Sequence, residues 1–551
     1  MNQRSTSEPR YTLKIGDRAL DDAYIEELIV RQELGAHWWC DVAFSLGRKG
    51  RPPFEGYLGK TLEFVVYGDG GVAFTLFKGF VLEGEMEYGL HESYRIRIAG
   101  VTKSYKLQLT PEEDYFFDQT LQEVAQRVIE EDGLQLSFNV DGGLKRMNYV
   151  QWGDTDFDFI KRLADDEGCF LRPTDEGLEI RRGFQDLKRT LPWHVEGGLL
   201  KFSLKGRLGQ PTFDGTTYVF EEMRSQSYRK VKEDPLFFGN SARGIVEAVK
   251  TESGKQMPSS RMNFDGRAPN LEVYQTLLKK ESARSIGSKI VGQGWSQDYR
   301  LKPGDQIRLV RPAGTEGEGF DADGDYGLIG VIHTYNPRDG YRNVFTATPW
   351  KGYTAAEQPP RALVHGVVPA RVTNIEDDKC GACRIRVRYD WMDSGVETGW
   401  IRMTTPCAGG GRGIMFRPQI GDEVLVAFTH GDPERPYAVG ALWNGIDRSP
   451  AKVGFWGHAD GQEALPEEIA AGDICRIVTK SGNVIQLIDV KDKEAITIST
   501  RNGQKIQIIE SCEETNGRQM LCLTSPGGDI YLHAPEGRVH IKSKFFSKEI
   551  G

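Results

Sequence analysis

The chain is 551 residues long, 39% hydrophobic and 27% charged, with a formal net charge of −9. That length holds two to four domains with real cores at roughly 150 residues each, and the acidic balance opposes tracking of nucleic-acid phosphates, which needs a basic surface. The 64 glycines exceed the usual share and favour turns, hence many short strands.

The opening MNQRSTSEPRYTL has no apolar core of signal-peptide length, and no window approaches the ~18 apolar residues of a membrane span. The expectation is a chain made in the cytoplasm that leaves it only when a machine moves it. The 8 cysteines are unevenly spaced and read as reduced thiols. Residues 1–10 read as a disordered leader.

From residue 11 the chain is rich in strand-like runs such as FEGYLGKTLEFVVYG, VAFTLFKGFVLEGEME and SYRIRIAGV, divided by glycine and charged turns. In DQTLQEVAQRVIEEDG, Thr120 and Glu123 make a capping box. Leu121, Val124, Ala125, Val128 and Ile129 share one helical face, and Gly133 stops the helix. A second helix is expected in YVQWGDTDFDFIKRLADDEG, with Asp154 and Asp156 at its start, Phe157, Ile160 and Ala164 on its apolar face, and Gly168 closing it. A third follows in NLEVYQTLLKKESARSIGSKI, before strands in LKPGDQIRLV, GLIGVIHTY and NVFTAT. Residues 11–350 therefore form a strand-dominated α+β region.

Residues 351–361 form a linker with two prolines, Pro359 and Pro360. Residues 362–446 then give about five strands in the rhythm of a small closed barrel of the OB type. A second loose stretch, 447–472, leads to 473–551, where SGNVIQLID, NGQKIQIIE, PGGDIYLHA and EGRVHIKS each begin at a turn glycine: Gly482, Gly503, Gly528 and Gly537. In the first of these, Val484, Gln486 and Ile488 face one way and Ile485, Leu487 and Asp489 the other, so apolar groups lie on both faces. So short a segment has open edges and too little core to stand alone. Either it folds back on its own chain as a sandwich, or copies of the chain supply the missing partners in a closed symmetric assembly.

The barrel segment closely resembles the OB domain of the VgrG family and its phage relatives, the central spikes of contractile tails. The matching residues are Gly366 and Val368, RIRVRYDW, Trp400 to Arg402, Pro406, Ala408 and Gly409, PQIGDEVLVAF, GDPERP from Gly431, and Gly440 with Asn444. The N-terminal region is similar to the family's tail hub in FKGFVLEGE, SYKLQLT, FDQTLQEV and the Trp152 to Gly168 run. The tail resembles its needle. The resemblance implies a mainly β fold: a tail-hub α+β region over 11–350, which a split near residue 195 would divide into two β-barrel subdomains, an OB fold over 362–446, and a trimeric β-helix or prism over 473–551. It also implies a homotrimer docking on a hexameric Hcp-like inner tube and on baseplate proteins. A PAAR-repeat tip protein and effector cargo would ride on it, and a target membrane would be pierced mechanically. The chain would be a bare carrier, assembled in the cytoplasm and then secreted or delivered into a target cell. A type VI apparatus and a phage-like or extracellular particle both fit these implications. A reading from another class is a β-helical carbohydrate-active enzyme with an OB binding module.

No residue is assigned to catalysis, cofactor binding or a metal. The CGAC at Cys380 and Cys383 has half a zinc-site spacing, with Cys407 and His365 as the available complement in space, but reads as structural. His533 and His540 near the end of the shaft read as solvent-facing, although a threefold axis would gather three copies of an inward histidine. Arg384, Arg386 and Arg388 alternate with Ile385, Val387 and Tyr389, the pattern of a half-buried strand rather than a nucleic-acid surface. Asp154, Asp156, Asp158, Asp165, Asp166 and Glu167 read mostly as helix ends and a solvated face.

Overall fold

The structure is a computed structural model that describes residues 10–21, 23–46, 56–68, 71–88, 94–140, 146–193, 198–219, 223–232, 235–239, 242–263, 271–310, 322–352, 362–376, 381–450, 473–491, 494–510, 519–542 and 544. The chain divides into two compact units, Met1–Ala441 and Leu442–Gly551, and each is taken by itself.

The first unit is organised by a thirteen-stranded sheet. Its central strand, Ala23–Glu33, buries Ile25, Leu28 and Val30, and pairs antiparallel with Trp39–Leu46. Outward from there run Tyr94–Val101, Ala73–Tyr88, Thr61–Tyr67 and Arg10–Ile15. On its other edge the central strand takes Gly324–Asn336, with Gly330 opposite Glu33 and Tyr335 opposite Leu28. Gly340–Thr348, Ile290–Ser296 and Leu199–Gly206 continue that side, while Gln306–Val310 and Leu187–Pro192 branch from it. The strands that flank the expected split near residue 195, Leu187–Pro192 and Leu199–Gly206, both belong to this one sheet.

Helix α1 (Leu121–Glu131) carries the expected capping box at Thr120 and buries its five apolar residues. Helix α2 (Asp156–Asp166) is capped by Thr155, whose hydroxyl accepts from the Asp158 amide. Asp154 therefore lies not at the helix start but in the preceding strand, Arg146–Thr155, beyond a bulge at Gly153. A further helix, α3 (Arg243–Gln256), was not expected, whereas α4 (Leu271–Gly287) occupies the third expected run. The α1 and α2 faces share one core with Phe116, Tyr149, Leu171, Leu178 and Ile180.

Within 362–446, strands Arg386–Tyr389, Val367–Asn374, Glu423–Phe428, Pro436–Leu442 and Arg402–Met403 follow one another in a five-stranded sheet. Its two ends meet. Ile385 and Ile401 exchange both backbone hydrogen bonds, at 3.0 and 2.9 Å, which closes the sheet into a barrel. Ile385, Val387, Tyr389, Val424, Val426 and Ala438 fill it.

The second unit holds an antiparallel meander of Ile474–Val478, Val484–Ile488, Ala495–Ser499, Lys505–Ile509 and Met520–Thr524. Gly482 and Gly503 stand at φ +84° and +87° in two turns of the same form, each closed by the amides of Thr479 and Gly482, or Thr500 and Gly503. The strands expected at Gly528 and Gly537 are not seen: residues 525–542 pair with no strand among the described residues.

Candidate functional site

Two features stand out, the junction between the hub region and the barrel, and one face of the meander. The junction begins with Pro111–Gln119 and Arg146–Thr155, an antiparallel pair whose register shifts between Trp152 and Asp154. Gly153, at φ +65°, supplies the left-handed residue that such a bulge requires. The bulge re-aims both neighbours. Trp152 packs edge-on against Trp391 of the barrel, with ring centroids 5.6 Å apart, and lies 6.3 Å from Phe428. Asp154 turns to helix α2.

There Arg162, with 7% of its side chain exposed, acts as a clamp. Its Nη2 donates to the Val150 carbonyl at 2.9 Å and to Asp154 Oδ2 at 3.1 Å, and its Nη1 donates to Glu434 Oε1 at 3.2 Å on the barrel. Asn148 Nδ2 reaches the Glu434 carbonyl at 3.3 Å. The Tyr115 hydroxyl donates to Asn148 Oδ1 at 2.5 Å and accepts from the Gly399 amide at 3.1 Å. Burial pushes the Tyr115 phenol far above its ordinary pKa, so it stays a neutral donor. The Arg386 guanidinium lies over the rings of Phe117 and Trp400, 5.2 and 4.7 Å from their centroids. Tyr115 and Val150 thus belong to the barrel's own hydrophobic core. A buried charge cluster with several fixed hydrogen bonds, set in aromatic contacts, resists sliding and twisting between the parts it joins.

Most of the six carboxylates do lie at helix ends, Asp156 and Asp158 in the first turn of α2 and Asp165, Asp166 and Glu167 at its close, but the expected solvated face is corrected, since none of the six is fully exposed. Asp154 binds Arg162, Asp165 takes Nη1 of Arg284 at 3.2 Å, and Glu167 is buried. At the end of α2 the cause is tertiary, since Arg284, which takes Asp165, comes from 119 positions away.

In the meander, the face expected from Ile485 and Leu487 extends over all five strands. One cross-strand row is Ile477, Ile485, Ile498, Ile506 and Leu523, and a second is Cys475, Leu487, Ile496, Ile508 and Leu521. Their nine aliphatic side chains are 40–70% exposed in the single chain. Val484, Gln486 and Ile488 are buried on the opposite face.

Cys380 lies outside the described residues. Cys383, at φ +51°, has its thiol 3.5 Å from Met415 Sδ, and Cys407 and His365 are exposed. Among the described residues no group of three or more His, Cys, Asp or Glu could hold a metal ion. His533 and His540 are both exposed. No described helix is long and apolar enough to cross a membrane.

A model of the phage tail baseplate hub family matches residues 43–187, and one of the type VI secretion and phage-baseplate injector OB domain matches 368–443. Curated relatives extend the match along most of the chain: an actin cross-linking toxin, VgrG1 of Vibrio cholerae serotype O1, is 23% identical over 82% of this chain and 42% of its own length. The chain is similar to VgrG spike proteins along most of its length. A second VgrG relative, the type VI secretion system spike protein VgrG5 of Pseudomonas aeruginosa, is 25% identical over 55% of this chain and 41% of its own. The chain spans about half the length or less of such VgrG relatives. Among solved structures, a chain of a Francisella PdpA–VgrG complex superposes with a TM-score of 0.60 at 9% identity, covering 95% of this chain and 80% of that one. The type VI secretion component c3393 of E. coli gives 0.51 at 18% identity, covering 78% and 99%. These two likenesses concern the fold. The VgrG motifs read separately along the sequence converge at the junction: Arg162 of RLADDEG meets Glu434 of GDPERP, and Phe117 of FDQTLQEV meets Arg386 of RIRVRYDW.

Proposed function

We propose that the chain is the central, non-enzymatic spike of a contractile injection machine, a homotrimer whose tail forms a shaft and whose hub docks on an inner tube. The observation that carries this reading is the aliphatic face of the meander. Nine large apolar side chains in two straight rows exceed what a solitary domain leaves in water. Three such faces turned toward a common axis bury one another. With roughly 700 Å² of apolar surface per chain at about 25 cal/mol per Å², the gross gain is on the order of 15 kcal/mol per chain before association costs.

The junction suits the same role, since the hub region and the barrel are clamped to one another rather than flexibly joined. On this reading the hub meets a hexameric Hcp-like tube protein and baseplate proteins. A PAAR-repeat protein caps the shaft, effectors ride on it, and entry into the target is mechanical work that needs no partition into lipid. The assembled spike is secreted or delivered into a target cell. The curated spike proteins among its relatives favour a type VI apparatus over a phage-like particle. Light scattering of the purified chain tests the core of the proposal: a mass near three times 61.8 kDa is expected, and a stable species of one chain mass would sink it. Mass spectrometry of co-purifying proteins then tests the tube, tip and cargo partners.

A further inference from the structure

We infer that a cleft in the hub region, lined by Gly183, Phe184, Phe238, Gly239, Gln306 and Lys351, receives the carboxyl terminus of a partner polypeptide whose last side chain is apolar. The inference rests neither on the shaft nor on the number of copies that assemble.

The cleft has a volume of about 400 Å³, within the range of small-ligand sites. One part of its lining comes from the large sheet. Gln306 opens the strand Gln306–Val310 and stands opposite Gly327 of Gly324–Asn336. A Cβ at 327 would lie 2.3 Å from the Phe184 ring, so the missing side chain is what lets that ring settle beside this rung. Phe238 supplies a second aromatic wall. Its amide donates to the Pro349 carbonyl at 2.8 Å and the Lys351 amide donates to the Leu236 carbonyl at 2.8 Å, which brings Lys351 to the same place. The Lys351 Nζ stands 5.7 Å from the centre of the Phe238 ring.

The polar groups of the cleft are out of balance. Lys351 makes no ion pair among the described residues. The half-buried Gln306 side chain and the backbone amides of Gly183 and Gly239 make no hydrogen bond among them either. The carboxylate in the lining, Asp325, is already in use, since Arg308 Nε and Nη2 donate to its two oxygens at 2.5 and 2.9 Å. An ammonium and several N–H donors are therefore left without an acceptor, a set that suits an oxyanion. With Asp325 close by, a second negative charge on the ligand is repelled, which favours a carboxylate over a phosphate. The aromatic walls take the apolar group that carries it. The volume is more than a lone aromatic acid fills, and a Cβ at Gly239 would meet nothing within 4 Å, so the rim leaves room for an extended chain end.

The probes are a fluorescein-labelled pentapeptide ending in Leu-Phe with a free carboxyl terminus, the same peptide as its C-terminal amide, and phenylacetate. Binding to the full chain is read by fluorescence anisotropy. The free acid should bind with a Kd below about 1 mM, and the amide at least about tenfold more weakly, because a charge-assisted hydrogen bond is lost. Lys351→Met should weaken the acid by about tenfold and leave the amide unchanged, while Lys351→Arg should keep the acid close to its starting affinity. Gly239→Trp should fill the cleft and abolish binding of both peptides; if that variant does not accumulate in folded form, the two variants at the exposed Lys351 decide alone. No binding of the acid up to about 1 mM, equal binding of acid and amide, or an acid indifferent to Lys351→Met overturns the proposal. Phenylacetate that displaces the peptide at concentrations no higher than the peptide's own Kd overturns the polypeptide source and assigns the cleft to a small acid.

Discussion

Replacing Arg162 by methionine should open the hub–barrel junction while leaving the rest of the hub intact. The substitution keeps much of the packed stem but removes the fork that reaches Val150 O, Asp154 and Glu434. Asp154 and Glu434, with 12% and 11% of their side chains exposed, are left as two facing carboxylates without a cation. Breaking a buried ion pair from one side costs about 3–5 kcal/mol, and the stranded Val150 carbonyl adds about 1 kcal/mol. Segment-resolved hydrogen exchange isolates the effect, because local opening is read where it occurs. Protection in Arg146–Thr155 and in 431–436 should fall by roughly a thousandfold to twenty-thousandfold, while Ala23–Glu33 stays unchanged. Arg162→Lys keeps the charge but loses the two-pronged geometry and should fall between. Adding Asp154→Asn and Glu434→Gln to Arg162→Met removes the uncompensated charge and should restore much of the protection. The reasoning fails if the single variant changes protection less than about tenfold, or if the neutral triple variant opens as readily as the single.

Ile498→Asp puts a charge in the middle of an aliphatic row. It should convert the assembled species to single chains by light scattering, with the hub's exchange protection retained. Gly153→Ala meets no atom within 4 Å and so tests backbone strain alone; at φ +65° it should cost about 1–2 kcal/mol and loosen Trp152 from Trp391. His333 is fully buried, its Nδ1 2.6 Å from the Tyr341 hydroxyl, and burial lowers its pKa to about 3. Because the folded value lies below the unfolded value near 6.5, the unfolded chain binds more protons across that interval. Stability should therefore be fully present above about pH 6.5 and decline as pH falls toward 3, and His333→Gln should flatten that decline in urea titrations at successive pH values.

Local features were legible in the sequence and long-range ones were not. The capping box at Thr120, the apolar face of α1 and the two-faced strands of the tail follow from spacings of a few residues, which periodicity reports directly. Asp154 was placed at a helix start because an aspartate before an apolar helical run resembles a cap. The actual cap is Thr155, one position on, and a bulge hands Asp154 to Arg162. Helix α3 escaped notice because it lacks a pronounced apolar stripe, burying only Val246 and Val249 with Ser253. The Arg162–Glu434 contact bridges 272 positions, and only the resemblance marked both motifs. It could not say that they touch. The tail's last segments, around Ile530 and Ile541, have the alternation of strands but no partner among the described residues, so pattern alone does not decide their pairing.

The central strand of the large sheet has a consequence for synthesis. Ala23–Glu33 leaves the ribosome early, yet one of its two neighbours, Gly324–Asn336, is translated some 300 residues later. At about 5–20 residues per second that is roughly 15 to 60 seconds. Through that interval the nascent chain presents an open backbone edge beside Leu28 and Val30, a template for pairing with other nascent chains on the same polysome. Production should therefore depend on holdase chaperones more than the size of the finished sheet suggests. Fragments that stop short of residue 336 should collect in inclusion bodies rather than fold.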